Sequence, residues 1–259
     1  MSKRKSPSIM ENPHVKELLS VMEKYHTDAM KDLLDVIGYV GEVEKQLDNA
    51  VQELAAMRKE LADMRGQPAP VQKTMRDATI LMQDRVITLR ENLAALKAAI
   101  VEGCKNLLSA FKEKGTQALH NTARFFKLRP ALETLRDNLN DSIKSDERII
   151  AKIEAVSAEY HEAGRHLKNM GRALTGKEAV AEAKAPGRVA KTFAAPFHAE
   201  RSCLLSAKKS VDNAIGRFAR LEKAAERKPS IKQTIKEFNY QIANAPKSAP
   251  NRAAQHGER

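Results

Sequence analysis

Aromatic residues are scarce in this chain. It has no tryptophan, and aromatic residues make up only 4% of its 259 residues. Large globular cores usually depend on aromatic side chains, so this scarcity argues against an ordinary globular domain. Leu, Ala, Glu, Lys and Arg are abundant instead, and 30% of residues are charged. Such a composition is typical of long helices whose surfaces face water, and it predicts an all-α protein.

Cysteines and long apolar runs are also rare. Cys104 and Cys203 are the only cysteines, and no CxxC motif occurs, which is typical of a reducing cytoplasm. The basic start MSKRKSPSIMENPH is not followed by the apolar segment of a signal peptide. No stretch approaches the roughly 18 apolar residues of a membrane helix. We therefore expect a cytoplasmic protein without a membrane span.

Motifs that carry catalytic chemistry are missing as well. Glycines occur singly, without GxGxxG or GxxxxGK[ST]. In HEAGRH, at 161–166, the histidines are five residues apart instead of the four of a zinc-binding helix, so we expect Glu162 and His166 to form a surface pair. Both cysteines are interpreted as structural thiols. We expect no enzyme activity, no catalytic residue, no metal or cofactor, and no small-molecule substrate.

Heptad periodicity is the feature that the chain has in abundance. Apolar residues recur at alternating steps of three and four, which places them on one narrow stripe of a helix, here called the seam. The predicted coiled-coil seam residues of the first two helices are Val40, Val43, Leu47, Leu54, Met57, Leu61, Met82, Val86, Leu89, Leu93, Leu96 and Ile100. The break GQPAP between the two helices predicts an antiparallel hairpin. In that hairpin Glu44 is expected to face Lys97, and Glu53 to face Arg85.

The same periodicity predicts an elongated, all-α organisation. The predicted parts are a disordered tail at 1–10, a long-helix bundle at 11–174 with a break at 66–72 and a kink near 130, a linker at 175–198, a smaller C-terminal helical pair at 199–243, and a disordered tail at 244–259. The breaks are placed at prolines and glycines, which interrupt helices.

A third long helix is predicted at 131–174. Its seam runs from Leu132 to Leu174 and is interrupted by two polar residues, Ser142 and Asp146. We expect the hairpin to offer too little apolar surface to cover this whole seam. We therefore expect a homo-oligomer or a protein partner, and the favoured function is a non-enzymatic scaffold or adaptor.

Positive charge supports an alternative function. The net charge is +12, and it is concentrated at 103–136 and 198–259. Basic zones attract nucleic acid, anionic membrane surfaces or acidic proteins. The candidate nucleic-acid contacts are Lys112, Lys114, Arg124, Lys127, Arg129, Lys208, Lys209, Arg217 and Arg220. Phe125 and Phe126 either stack on bases or close the end of a bundle. The alternative is thus a nucleic-acid-binding accessory factor with little sequence specificity.

Three stretches carry a family resemblance. They are EKQLDNAVQELAAMRKEL at 44–61, CKNLLSAFKEKGTQALHNTARFFKLRPALETLRDNL at 104–139 and EAVSAEYHEAGRHLKNMGRALTGKE at 154–178. Together they resemble an uncharacterised bacterial family, a domain of unknown function carried on integrative and conjugative elements. The resemblance covers roughly 11–243 and implies a cytosolic protein of mobile-element origin. It implies no catalytic or binding residue.

Overall fold

The computed structural model describes residues 8–27, 29–63, 69–175, 177–180 and 188–226, and these residues form an all-α fold. The five α-helices are α1 (Pro13–Lys24), α2 (Ala29–Asp63), α3 (Ala69–Lys114), α4 (Arg129–Leu174) and α5 (Arg188–Glu226). Short 3-10 segments occupy Ile9–Glu11 and Gly115–Phe125. The described residues up to Ala225 belong to one compact unit, and a second unit begins at Glu226. No helix, over the residues described, is long and apolar enough to cross a bilayer.

The chain enters the apolar core closer to its N-terminus than the sequence predicts. Ile9, placed in a disordered tail by the sequence, is only 2% exposed and belongs to the main apolar cluster. Asn12 then caps α1 by accepting a hydrogen bond from the His14 N–H at 3.0 Å, and Pro13 occupies the first helical turn. The first predicted helix is interrupted after Lys24, where His26 adopts a positive φ of 48°. Residues 1–7 lie outside the described part of the chain.

Helices α2 and α3 lie antiparallel. Lys97 pairs with Glu44 at 2.8 Å, and Arg90 pairs with Asp48 at 2.6 Å. The predicted seam residues of both helices are buried, except Leu61, which is half-buried against the smaller apolar cluster. Of the predicted break at 66–72, residues 69–72 already belong to α3, and residues 64–68 lie outside the described chain.

The connection from α3 to α4 begins earlier than predicted. The sequence extends the second helix to a kink near 130, but α3 ends at Lys114 and Gly115 follows with a φ of 62°. Glycine adopts this left-handed conformation readily, which explains the helix stop. The 3-10 segment then returns Phe126 to the core, where its ring packs so tightly on Gly103 that a Cβ there would lie 2.3 Å from the ring. Pro130 falls in the first turn of α4, where proline is tolerated.

Helix α5 contains part of the segment predicted as a linker. It begins at Arg188, while the sequence places the start of the fourth helix near 199. Pro196 falls within the predicted linker, yet it lies inside α5. Ala194, Phe197 and Glu200 around it are all buried, so packing offsets the backbone hydrogen bond that proline removes. The second helix of the predicted C-terminal pair and the tail at 244–259 lie outside the described residues.

The four long helices form an up-down-up-down bundle. Besides the α2–α3 pairs, Arg201 of α5 pairs with Glu147 of α4 at 2.6 Å, and Arg129 of α4 pairs with Glu222 of α5. Arg217 of α5 reaches Asp32 and Asp35 of α2, each at 3.2 Å. Each helix thus contacts its two neighbours around a shared core, the arrangement of a four-helix bundle. Helix α1 packs at the end where Tyr25 contacts Phe111.

The apolar core has two parts. The larger cluster includes Leu89, Ile143 and Leu204 and extends to α1. The smaller cluster includes Met82, Ile150 and Phe197. Between the two clusters, along α3, α4 and α5, lie three charged side chains, which are described next.

Candidate functional site

Three charged residues meet inside the bundle. Arg85 of α3 approaches Asp146 of α4 at 2.6 Å and Glu200 of α5 at 3.5 Å. Its other terminal nitrogen donates to the backbone carbonyl of Ser142 at 2.9 Å. Asp146 and Glu200 are fully buried, and the Arg85 side chain is 12% exposed. We call these three side chains the charge layer.

Burial decides the protonation of the charge layer. It raises the pKa of Glu200 to about 8, with a further upward contribution from the negative charge of Asp146. Burial also raises the pKa of Asp146 to about 6, although Arg85 acts in the opposite direction. Arg85 lies closer to Asp146 than to Glu200, and the negative charge of Asp146 acts on Glu200, so the charged form is favoured at Asp146 and the neutral form at Glu200. At neutral pH, one ion pair and one protonated carboxyl group therefore fill the layer.

Sequence reasoning found only part of the charge layer. Asp146 was visible as a polar interruption of the third seam, but Arg85 was placed beside the second seam, opposite Glu53. Arg85 pairs instead with Asp146 and Glu200, because its long side chain reaches inward from the edge of the seam. Glu200 was missed because the sequence begins the fourth helix at about that residue. The seam position of Asp146 was the signal in the sequence that pointed to a buried partner, because a buried charge requires one.

The far end of α4 is the most exposed apolar surface of the described chain. After Ile153, which is buried, no described side chain of α4 is buried. Leu167, Met170 and Leu174 are 66%, 61% and 86% exposed, although all three continue the predicted seam. With half-buried Val156 and exposed Ala163 they form a stripe, here called the α4 stripe. Its clustered apolar side chains mark it as a candidate interaction surface.

The chain itself covers the opposite side of this helix end. After α4, Val180 exchanges two hydrogen bonds with the Asn169 side chain, at 2.7 and 3.0 Å, and Arg172 donates to the Glu178 carbonyl at 2.6 Å. A separation of two residues is about 200° around an α-helix. Asn169 and Arg172 therefore lie across the helix from Leu167 and Leu174. The returning segment 177–180 packs on the polar side and leaves the α4 stripe open.

The basic candidates fall into two groups. Arg129 and Arg217 are half-buried in ion pairs between helices, and Lys208 pairs with Asp212 of its own helix at 2.7 Å. The remaining candidates are exposed; they are Lys112, Lys114, Arg124, Lys127, Lys209 and Arg220. Phe126 is buried and Phe125 half-buried, so this pair is packed into the bundle end and does not present two open rings to bases.

The remaining reactive side chains lie in places that suit structural roles. Cys104 is buried, and burial raises the pKa of its thiol to about 12. Cys203 is half-buried, and burial raises its pKa as well. Glu162 and His166 approach to 3.5 Å on the surface of α4, as predicted. Within the described ranges, no three His, Cys, Asp or Glu side chains are grouped closely enough to hold a metal ion.

Comparison with known proteins identifies the family of this chain. A family model described as a family of unknown function (DUF6674) matches residues 11–258. No curated protein and no solved structure matches the chain significantly. The match extends over nearly the whole chain, including all five helices, and agrees with the resemblance carried by its sequence stretches. The chain therefore belongs to DUF6674, a family of unknown function.

Proposed function

We propose that the protein is a non-enzymatic helical scaffold or adaptor that binds another helix, of its own kind or of a partner protein, through the α4 stripe. The observation that carries this proposal is the exposure of Leu167, Met170 and Leu174 on a helix end beyond the buried part of α4. A regular apolar stripe is exposed to water here, and covering it with a second helix lowers the free energy. The bundle gives the stripe a rigid base.

The setting that we propose is a bacterial cytoplasm and a gene carried on an integrative or conjugative element. The cysteine usage supports the cytoplasm, and the sequence resemblance supports the mobile element. The competing function, nucleic-acid binding, is favoured by four exposed basic residues at the end of α3 and in the segment that follows it, namely Lys112, Lys114, Arg124 and Lys127. Lys and Arg side chains of this kind contact phosphates without reading bases.

Photo-crosslinking in native cells separates these functions. A photoreactive residue replaces Met170 in the full-length protein, and matched variants carry it at Leu205, an exposed apolar position of α5, and at Lys127. We expect several-fold more protein adducts from position 170 than from position 205, because only the α4 stripe has a partner helix. Protein adducts no more frequent at 170 than at 205, together with nucleic-acid adducts at 127, would favour the competing function instead.

A further inference from the structure

We propose that the first part of α5, residues 188–200, separates from the bundle when Glu200 loses its proton, while the rest of α5 stays packed. We call residues 188–200 the α5 arm. The arm is then a pH-dependent strap over one end of the bundle. Its behaviour is independent of what binds the α4 stripe, so it goes beyond the proposed function.

The two parts of α5 are anchored very differently. Among the described side chains of the α5 arm, Ala194 and Phe197 belong to the smaller apolar cluster. Six side chains of the remaining part belong to the larger cluster; they are Leu204, Ala207, Val211, Ala214, Phe218 and Leu221. Arg217 and Glu222 add ion pairs to α2 and α4 in this second part. Because stabilisation grows with the apolar surface that is buried, the arm can open while the rest of α5 stays packed.

Pro196 lowers the cost of opening the α5 arm further. It lies inside α5, and it has no N–H to donate to the carbonyl group four residues before it. Proline is also the least favourable residue in a helix interior. The arm is therefore helical because Ala194 and Phe197 pack on either side of the proline, and a short helix that loses such packing is unstable in water.

Glu200 joins the α5 arm to the charge layer through a long contact. Arg85 approaches Asp146 at 2.6 Å and donates to the Ser142 carbonyl at 2.9 Å, so α3 and α4 stay connected without Glu200. The Glu200 carboxyl group lies 3.5 Å from Arg85. Its Oε1 is buried and accepts no hydrogen bond from any described residue. A charged Glu200 is poorly compensated here, and it gains hydration when the arm opens.

The surroundings of Glu200 contain charged groups from several helices. Arg85 of α3 favours the charged form of Glu200, and Asp146 of α4 opposes it. The other titratable groups at this level of the bundle lie on α2, α4 and α5; they are Glu53, Glu147, Arg201 and Cys203. Glu147 and Arg201 form an ion pair with each other at 2.6 Å. Burial raises the pKa of Cys203, so its thiol stays neutral below pH 8.

The direction of the pH effect follows from the proton on Glu200. Burial raises the pKa of Glu200 to about 8 in the closed bundle, whereas a glutamate in water has a pKa of about 4. Between these values the closed arm holds a proton that the open arm releases, so opening becomes more favourable as pH rises. The equilibrium constant for opening should increase by up to roughly tenfold per pH unit between about pH 5 and pH 8.

Opening of the α5 arm uncovers part of α4. Phe197 of the arm belongs to the same apolar cluster as Ile150 and Ile153 of α4. Ile153 directly precedes Val156 in the seam of α4. An open arm therefore adds Ile150 and Ile153 to the apolar surface that begins at Val156, and the length of this surface changes with pH.

Native-state hydrogen exchange of the full-length protein, measured by mass spectrometry from pH 6 to pH 8, tests the proposal. Protection is expressed relative to the same peptides in the unfolded chain at the same pH, which removes the pH dependence of the exchange chemistry. We expect peptides that cover 193–200 to lose protection by up to roughly tenfold per pH unit. Peptides that cover 204–221 should remain at least about tenfold more protected at each pH, because they open only with the larger cluster.

Two matched variants separate this opening from the ordinary fraying of a helix end. Glu200→Gln should make the protection of the α5 arm independent of pH, because glutamine cannot ionise. Glu147→Gln, a surface change at the same level, should keep the pH dependence of the native protein. A pH-dependent loss of protection that persists in Glu200→Gln would overturn the proposal.

The native protein alone can also overturn the proposal, whether or not the variants fold. Protection of 193–200 that stays flat from pH 6 to pH 8 would show that the arm does not respond to Glu200. Equal protection of 193–200 and 204–221 at every pH would show that Glu200 meets water only when the whole bundle unfolds.

Discussion

Replacing Arg85 by methionine should destabilise the bundle by about 3–5 kcal/mol, the usual cost of leaving buried charge without its partner. Arg85 contacts both Asp146 and Glu200, and neither carboxyl group has contact with water. Without the guanidinium, Asp146 must either keep a buried charge or take up a proton at a free-energy cost. Urea unfolding followed by circular dichroism at pH 7 measures the loss.

A matched variant separates burial from charge. Arg90 lies on the same helix and pairs with Asp48 at 2.6 Å, but its side chain is 44% exposed. Arg90→Met should therefore cost less than about 1 kcal/mol. The triple variant Arg85→Met, Asp146→Leu, Glu200→Met should recover most of the loss, because apolar side chains often replace a buried charge cluster without penalty. Equal effects of Arg85→Met and Arg90→Met would contradict the account of the charge layer.

The stability of the protein should fall as pH rises from about 5 to about 8. In the folded protein burial raises the pKa of Glu200 to about 8 and that of Asp146 to about 6, whereas unfolded Glu and Asp have pKa values of about 4. Between these limits the folded state holds protons that the unfolded state has lost. Unfolding then releases protons, so the free energy of unfolding decreases with pH, by at most about 1.4 kcal/mol per pH unit for each proton.

The variant Glu200→Gln should remove most of this pH dependence. Glutamine keeps the size of the side chain but cannot ionise, so the variant should gain stability relative to the native protein above pH 8. Chemical unfolding from pH 5 to pH 9 provides the measurement. Glu147→Gln is the control, because Glu147 pairs with Arg201 on the surface. A native protein with flat stability, or a Glu200→Gln variant with an unchanged slope, would show that Glu200 does not titrate in this range.

Helix positions on the seams were largely predictable from sequence. Residues such as Leu47, Leu89 and Leu96 recur at heptad spacing, which predicts one buried stripe on a helix. All three are buried. The uncovered end of the third seam was also foreseeable, because the predicted hairpin offered too little surface for it. Leu167, Met170 and Leu174 are the residues that this excess leaves exposed.

The remaining features depended on contacts between distant parts of the chain. Pro196 has the local character of a helix breaker, and only the burial of Ala194 and Phe197 explains why α5 continues through it. The heptad pattern places Glu53 opposite Arg85, but the partners of Arg85 in the structure are Asp146 of α4 and Glu200 of α5. Ile9 lacks periodic neighbours, so nothing local indicated its burial.

The most direct test of the central claim, that the α4 stripe binds protein, is the molar mass of the purified protein by light scattering after size exclusion. Samples are compared at low and high salt, with and without a mixed-sequence DNA duplex. The account predicts a mass above the 28.8 kDa monomer that changes little with salt or DNA. Leu167→Asp with Met170→Asp should restore the monomer, while the control Ile80→Asp with Ile87→Asp, two exposed residues of α3, should not. A monomer that gains mass only with DNA at low salt would contradict the claim, because phosphate contacts weaken steeply with salt.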